Sequence, residues 1–129
     1  MIVLDTHVWL WWLADPSRLS PVARRAIDEA EAVGVSAVSA WEVAMLVARR
    51  RISLDRDVAT WVRQALAHAR VRQQPLTADV AVAAGQLDGR GFPGDPADRF
   101  IYATAQALRA ILITRDASIR GYDARSTVW

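Results

Sequence analysis

The chain contains no lysine and no cysteine, so its 16 basic residues are all arginines. Without lysine, the chain cannot carry out Schiff-base chemistry or form a P-loop, and phosphotransfer sites of the receiver and haloacid-dehalogenase types are also excluded. Without cysteine it has no thiol nucleophile, disulfide bond or cysteine metal site. With only His7 and His68, a histidine-rich zinc site is not expected either. Carboxylates are therefore the leading candidates for any chemistry.

Long hydrophobic runs are also absent. The apolar stretch at residues 8–13 is too short to span a bilayer, and Asp5 lies where a signal peptide would carry basic residues. We therefore expect a cytoplasmic protein that spans no membrane. The length of 129 residues predicts one domain over residues 1–129, large enough to bury a core. The net charge of +2 is too small to identify a nucleic-acid-binding protein.

Short apolar runs alternate along the chain with segments of helical periodicity. Short apolar runs typical of buried strands occur at residues 2–4, 35–37 and 111–114. Residues 71–76 and 126–128 are further candidate strands. The predicted helices are residues 7–13, 21–34, 39–50, 56–70, 77–87 and a segment that begins at Asp95. This alternation predicts an α/β fold in which a central, mostly parallel sheet of four to five short strands is flanked by helices.

Four acidic residues are expected at the carboxyl ends of these strands or at adjacent helix starts. Asp5 follows the first strand, and Asp116 follows the strand at 111–114. Glu42 is predicted in the first turn of a helix that begins with a capping box at Ser39, and Asp98 in the first turn of the helix before the 111–114 strand. Because ligands bind beyond the carboxyl ends of parallel strands, these side chains are expected at one rim.

Each acid also has a purely structural explanation. Asp5 and Asp116 can cap helices, and Glu42 can complete its capping box. Asp95 is a good N-cap before Pro96, with Asp98 at the third helical position, where negative charge suits the helix dipole. Capping alone does not explain why all four acids are expected at the same end of the sheet.

Carboxylates gathered in one pocket require compensation. Each pair 4 Å apart repels by about 1 to 4 kcal/mol, so some must bind protons or a cation must lie between them. Oxygen ligands without histidine or cysteine select Mg²⁺ or Mn²⁺ over zinc. Such an ion lowers the pKa of an attacking water and stabilises the leaving oxygen of a phosphodiester. The residues therefore suggest a metal-dependent nuclease or phosphatase.

Four motifs occur in a characteristic order. They are Ile2-Val3-Leu4-Asp5-Thr6, Ser39-Ala40-Trp41-Glu42, Asp98-Arg99-Phe100-Ile101-Tyr102-Ala103-Thr104-Ala105 and Ile113-Thr114-Arg115-Asp116. Over essentially the whole chain this set resembles PIN-domain proteins, and more narrowly the VapC-type toxins of bacterial toxin–antitoxin pairs. The resemblance implies a PIN-like fold and a Mg²⁺- or Mn²⁺-dependent endoribonuclease. It also implies a homodimer that a VapB-like antitoxin inhibits.

The resemblance assigns roles to individual residues. It implies an acidic tetrad that binds the metal and carries out catalysis, formed by Asp5, Glu42, Asp98 and Asp116. Thr6 and Thr114 match hydroxyl positions that line the pocket. Asp95 is the alternative third acid, but Asp98 matches the spacing to Ile101, whereas Asp95 fits better as a helix cap.

Two arginines and a tryptophan cluster remain to be explained. Arg99 and Arg115 each adjoin a predicted site acid, where they can bind a substrate phosphate or pair with the acids. Residues 49–51 are three successive arginines, which fit a solvated helix end better than an RNA contact. Three tryptophans share one predicted helix and form either a partner-binding surface or part of the core: Trp9, Trp11 and Trp12.

Two functions compete with the ribonuclease. The same metal site suits a nucleotide phosphatase. The chain can also be a catalytically silent binding module, in which the acids are caps and the tryptophan-rich surface contacts the partner.

Overall fold

The computed structural model describes residues 1–129. It contains one sheet of five parallel strands: β1 (Ile2–Leu4), β2 (Val33–Ser36), β3 (Val71–Gln74), β4 (Ile111–Ile113) and β5 (Thr127–Val128). Their order across the sheet is β3-β2-β1-β4-β5, with β1 in the centre. The predicted α/β class and parallel sheet are confirmed.

Seven α-helices connect the strands. They are α1 (Thr6–Ala14), α2 (Pro21–Glu29), α3 (Ala37–Ala48), α4 (Val58–Leu66), α5 (Ala78–Gln86), α6 (Pro96–Ala107) and α7 (Ala117–Tyr122). Short 3₁₀ turns follow α1 at Pro16–Arg18 and α5 at Leu87–Arg90. No helix is long and apolar enough to cross a bilayer.

Most helix starts follow from their capping residues. The carboxylates of Asp5, Asp57, Asp95 and Asp116 accept backbone N–H groups at the starts of α1, α4, α6 and α7. The hydroxyls of Ser20 and Thr77 do the same for α2 and α5. The predicted starts near Pro21, Thr77 and Asp95 are therefore confirmed.

The region between α2 and α3 differs from the prediction. α2 ends at Glu29, and β2 begins at Val33, two residues before the predicted strand. The cap of α3 is Ser36, whose hydroxyl accepts the N–H of Val38, so the predicted capping box at Ser39 is wrong. Glu42 consequently lies in the second turn of α3 and not in the first. Two serines three residues apart offered competing caps, and the earlier one starts the helix.

The core forms on both faces of the sheet because successive strand residues point to opposite sides. Leu4 packs with Trp9, Ile27 and other residues of the larger cluster, whereas the preceding Val3 packs with Ile101 and others on the opposite face. Helices α1 and α2 cover the first face and α6 covers the second. With both faces covered, the open positions left on the sheet are at the carboxyl ends of its central strands, β1 and β4.

Candidate active site

A cavity of about 380 Å³ opens at the carboxyl ends of β1 and β4. Its lining is strongly acidic and consists of Asp5, His7, Val8, Trp11, Glu42, Asp95, Asp98, Arg115 and Asp116. The structure thus brings all four acids of the predicted tetrad to one cavity, together with the alternative acid Asp95. The neighbouring strands β1 and β4 deliver Asp5 and Asp116, and the helices α3 and α6 deliver Glu42 and Asp98.

Asp5 lies at the centre of this arrangement. Its backbone N–H continues the sheet by donating to the carbonyl of Ile113 at 3.0 Å. One carboxylate oxygen, Oδ1, accepts the N–H of Thr6 at 2.8 Å, and Oδ2 accepts the hydroxyl of Thr114 at 2.7 Å. Burial raises the pKa of Asp5, although these two hydrogen bonds partly oppose the rise.

Glu42 reaches the cavity from the second turn of α3. The residue is only 8% exposed, and burial raises its pKa, with a smaller contribution from the charge of Asp5. A buried hydroxyl lies beside it: Thr6 donates to the Ser39 hydroxyl at 3.1 Å, and the polar Thr6 side chain partly opposes the rise in the pKa of Glu42. Ser39 is thus a buried helix residue that anchors Thr6 below the cavity. The sequence does not predict this role, because it depends on the helix starting at Ala37 and on a contact with a residue 33 positions away.

Asp95 and Asp98 form a reciprocal capping box at the start of α6. Asp95 Oδ1 accepts the N–H of Asp98 at 3.0 Å, and Asp98 Oδ2 accepts the N–H of Asp95 at 3.2 Å. Burial, followed by the charges of Asp5 and Asp95, raises the pKa of Asp98 to about 7. Capping and site membership are therefore compatible for the same pair of residues.

Asp116 occupies the cap of α7. Its Oδ1 accepts the N–H groups of Ser118 at 2.8 Å and Ile119 at 3.0 Å. The Thr114 hydroxyl also accepts the N–H of Asp116 at 3.1 Å while it donates to Asp5. One threonine thus joins the acids that follow two adjacent strands. Thr6 and Thr114 are fully buried and do not themselves line the cavity, so the prediction that they line the pocket is wrong.

The electrostatics of the cavity favour a cation. The only cationic side chain in the lining is that of Arg115, which forms no salt bridge with the acids. With their side chains in these rotamers, no three histidine, aspartate or glutamate residues are close enough to share one metal ion. The hydrogen bonds described above hold the carboxylates of Asp5, Asp98 and Asp116 on backbone groups. The donor set, which is entirely oxygen, fits a hard divalent cation.

The two predicted phosphate-binding arginines differ in their positions. Arg115 lines the cavity and lies over the ring of Trp11, 5.7 Å from its centroid. Arg99 does not line the cavity. Its guanidinium donates to Asp88 at 2.5 Å and to the carbonyl of Gly94, so the prediction that Arg99 lines the pocket is wrong. Arg99 points away from the cavity although it directly follows Asp98, because successive residues of a helix such as α6 point about 100° apart.

The three tryptophans of α1 also point in different directions. Trp9 is fully buried and packs edge-on against Trp61, so its predicted role in a partner-binding surface is wrong. Trp12 is half-buried and packs on His68. Trp11 is half-buried in the cavity wall. The wide arc that these positions span on a helix accounts for this division.

Two features were not predicted from the sequence. Gly94 packs against Asp98 so closely that an added Cβ would lie 2.6 Å from the Asp98 Cβ and 2.5 Å from the Phe92 ring.

An apolar groove beside the acidic cavity is lined by Ala37, Val38, Trp41, Leu76, Pro96, Ala97 and Phe100. Trp41, which is 57% exposed, borders it. The only available sequence signal was a tryptophan directly before Glu42 in the motif.

Comparison with known proteins gives a consistent result along the whole chain. A model of the PIN domain matches residues 2–124. The protein named Ribonuclease VapC22 of Mycobacterium tuberculosis is 42% identical over 130 residues, which cover 99% of this chain and 98% of that protein.

Solved structures share the fold at lower identity. A chain of a toxin–antitoxin complex from Klebsiella pneumoniae superposes with a TM-score of 0.71 at 19% identity, covering 100% of this chain and 97% of that one. A chain of the DNA-bound VapBC from Salmonella typhimurium superposes with a TM-score of 0.69 at 17% identity, covering 99% of this chain and 98% of that one. These similarities show a shared fold over essentially the whole chain.

Proposed function

This chain belongs to the PIN domain family, and we propose that it is a toxin endoribonuclease that cleaves RNA by metal-dependent hydrolysis. The observation that carries the proposal is the acidic cavity at the ends of β1 and β4, to which four separate elements contribute the acids. The 42% identity to a protein named as a VapC ribonuclease supports the substrate class. The similarity to chains of VapBC complexes supports a VapB-like antitoxin as the partner that inhibits it.

We propose Mg²⁺ or Mn²⁺ as the cofactor. The residues that would hold it are Asp5, Glu42, Asp98 and Asp116, because they supply the oxygen ligands in this cavity. When bound, the ion lowers the pKa of an attacking water and stabilises charge on the cleaved phosphate. Burial raises the pKa of Asp5, Glu42 and Asp98, and the charges of neighbouring acids add to the rise, so a cation in the cavity would stabilise their ionised forms.

The remaining residues position these carboxylates and the substrate. The Thr114 hydroxyl orients Asp5 through Oδ2, and Thr6, held by Ser39, supports Glu42 from below. Arg115 presents its guanidinium at the cavity, where it can donate to the oxygens of a substrate phosphate. Asp95 contributes charge to the cavity and caps α6, so we assign it a positioning role.

We further propose that the protein is a homodimer that associates through the apolar groove at Trp41. The groove has no charged residue in its lining, which suits contact between two copies of the same apolar surface. Because α3 and α6 carry residues of both the groove and the acidic cavity, this dimer would place two cavities near each other. In sedimentation experiments Trp41→Glu is expected to give a folded monomer, and an unchanged dimer would contradict the assignment of this surface.

The function is tested with purified protein and single-stranded RNA. We expect cleavage with Mg²⁺ or Mn²⁺, no cleavage with a chelator, and none by Asp5→Asn protein whose fold is confirmed by circular dichroism. Full activity of folded Asp5→Asn would contradict the proposal. Parallel reactions with free nucleotides separate the alternatives: phosphate release from nucleotides without RNA cleavage identifies a phosphatase, and inactivity on both substrates identifies a binding module.

A further inference from the structure

Trp11 is the centre of a cationic cluster at the edge of the acidic cavity. The guanidinium carbons of Arg18 and Arg115 lie 5.0 Å and 5.7 Å from its ring centroid. Both distances fall within the range of cation–π attraction. Trp11 and Arg115 line the cavity, whereas Arg18 does not, so the cluster extends from the cavity outward.

Neither guanidinium forms a salt bridge within the protein. The only salt bridges of the chain join Arg56 to Asp55 and Arg99 to Asp88. Arg18 and Arg115 are exposed, and their side chains donate no hydrogen bond. Their N–H groups are therefore available to an external anion.

Arg70 provides an internal comparison. Its guanidinium also lies over a tryptophan, 5.9 Å from the centroid of Trp12. Its Nη2, however, donates to the carbonyls of Ile27 and Ala30, so this arginine connects β3 to the end of α2. A structural arginine in this protein thus uses its donors internally, and the two on Trp11 do not.

We propose that Arg18 and Arg115, held on Trp11, bind a backbone phosphate of the RNA strand next to the phosphate that is cleaved. This inference rests on the proposed function. A strand whose scissile phosphate lies at the carboxylates has to pass the edge of the same cavity, and the Trp11 cluster provides unpaired cations there. The donors of a guanidinium match the oxygens of a phosphate, and Trp11 restricts the orientation of both side chains.

The proposal is tested by binding without cleavage. Fluorescence anisotropy measures the affinity of the full chain, with chelator present, for RNA oligonucleotides in which one phosphate at a time is replaced by an uncharged methylphosphonate. We expect wild-type protein to lose affinity about three- to tenfold at one linkage. Arg18→Gln is expected to weaken binding of the unmodified strand and to reduce the loss at that linkage. Arg18→Gln combined with Arg115→Gln is expected to abolish that loss.

Matched variants separate the cluster from a general effect of charge. Arg25→Gln removes an exposed arginine on α2 and is expected to keep the wild-type profile. Trp11→Leu is expected to reduce the loss at the same linkage, whereas Trp12→Leu, on the same helix but against His68, is not. The slope of log affinity against log salt is expected to decrease by about 0.7 in the double arginine variant.

The outcomes distinguish this proposal from the proposed function. RNA cleavage with a flat methylphosphonate profile, or a profile that both arginine changes leave intact, would overturn the phosphate site and leave the ribonuclease. RNA binding with the expected profile but no cleavage would support the site and overturn the ribonuclease. Absence of RNA binding by the metal-free protein, with RNA cleavage once Mg²⁺ or Mn²⁺ is added, would overturn the phosphate site and leave the ribonuclease, whereas absence of both binding and cleavage would overturn both. If the arginine variants change only the affinity for an acidic antitoxin segment, the cluster binds protein and not RNA.

Discussion

The hydroxyl of Thr114 donates a 2.7 Å hydrogen bond to Oδ2 of Asp5 and joins the residues that directly follow β4 and β1. The same hydroxyl accepts the N–H of Asp116. Two of the four acids in the cavity are therefore held by one buried side chain. The precision of the site depends on this threonine as well as on the acids.

Thr114→Val is expected to impair the site more than the fold. Loss of the hydrogen bond raises the pKa of Asp5 further and releases its carboxylate, so metal affinity or activity should fall about 10- to 100-fold. The free energy of unfolding should fall by about 1 kcal/mol. Thr104→Val is the control, because its buried hydroxyl donates to the carbonyl of Phe100, away from the cavity. Equal activity losses in the two variants would contradict a specific role for Thr114.

Asparagine substitutions distinguish the two acids of the α6 capping box. Asparagine caps helices as well as aspartate does, so Asp95→Asn should preserve α6 and most of the activity. Asp98→Asn keeps an acceptor for the N–H of Asp95 but removes a proposed ligand, and should lower kcat by at least about 100-fold. Steady-state rates on one RNA substrate measure both effects. The reverse ranking would identify Asp95 as the third acid of the site.

The stability of the metal-free protein is expected to fall as pH rises. The pKa of Asp98 is raised from 3.8 to about 7, so the folded state binds its proton more tightly than the unfolded state does. The resulting stabilisation is complete below about pH 4 and is lost as pH rises through 7. Asp5 and Glu42 act in the same direction.

Urea unfolding between pH 4 and pH 8 with chelator present measures this dependence. Asp98→Asn should flatten it and should be more stable than wild type at pH 7 by about 1 kcal/mol, a value reduced for partial solvent exposure. Added Mg²⁺ or Mn²⁺ should flatten it as well. A variant with the wild-type pH dependence would show that Asp98 does not carry the effect.

Gly94→Ala is expected to displace Asp98. The new Cβ would lie 2.6 Å from the Asp98 Cβ and 2.5 Å from the Phe92 ring, so both neighbours would have to move. Overpacking of this kind costs about 1 to 3 kcal/mol, and activity should fall with it. Gly89→Ala is the matched control, since its added Cβ would meet nothing within 4 Å. Thermal unfolding and RNA cleavage are measured for both, and equal behaviour would contradict the positioning role of Gly94.

Local sequence rules predicted much of this structure. β1 and β4 could be identified because each is an uninterrupted apolar run followed by a capping aspartate, and the same pattern placed Asp5 and Asp116. The start of α3 was predicted incorrectly because Ser36 and Ser39 are both acceptable caps. Only the tertiary structure shows that Ser39 is buried within α3, where its hydroxyl bonds to that of Thr6.

The surroundings of the acids could not be predicted in this way. Trp9 lies in the core, Trp11 in the cavity wall and Trp12 against His68, and this separation depends on which helix faces meet the sheet. The pairing of Arg99 with Asp88 joins α6 to the 3₁₀ turn at Leu87–Arg90, and no periodicity signals it. Sequence pattern thus identified the acids, whereas packing determined which neighbouring side chains reach the cavity.

Calorimetric titration of the purified chain with Mn²⁺ measures whether the carboxylates of the acidic cavity bind a divalent cation, on which the proposed hydrolysis depends. We expect saturable binding by wild type and at least about tenfold weaker binding by folded Asp5→Asn and Asp98→Asn. Asp28→Asn, which removes an exposed acid on α2, should bind as wild type does. No binding by wild type at millimolar Mn²⁺, or equal affinity in all four proteins, would contradict a metal site at these carboxylates.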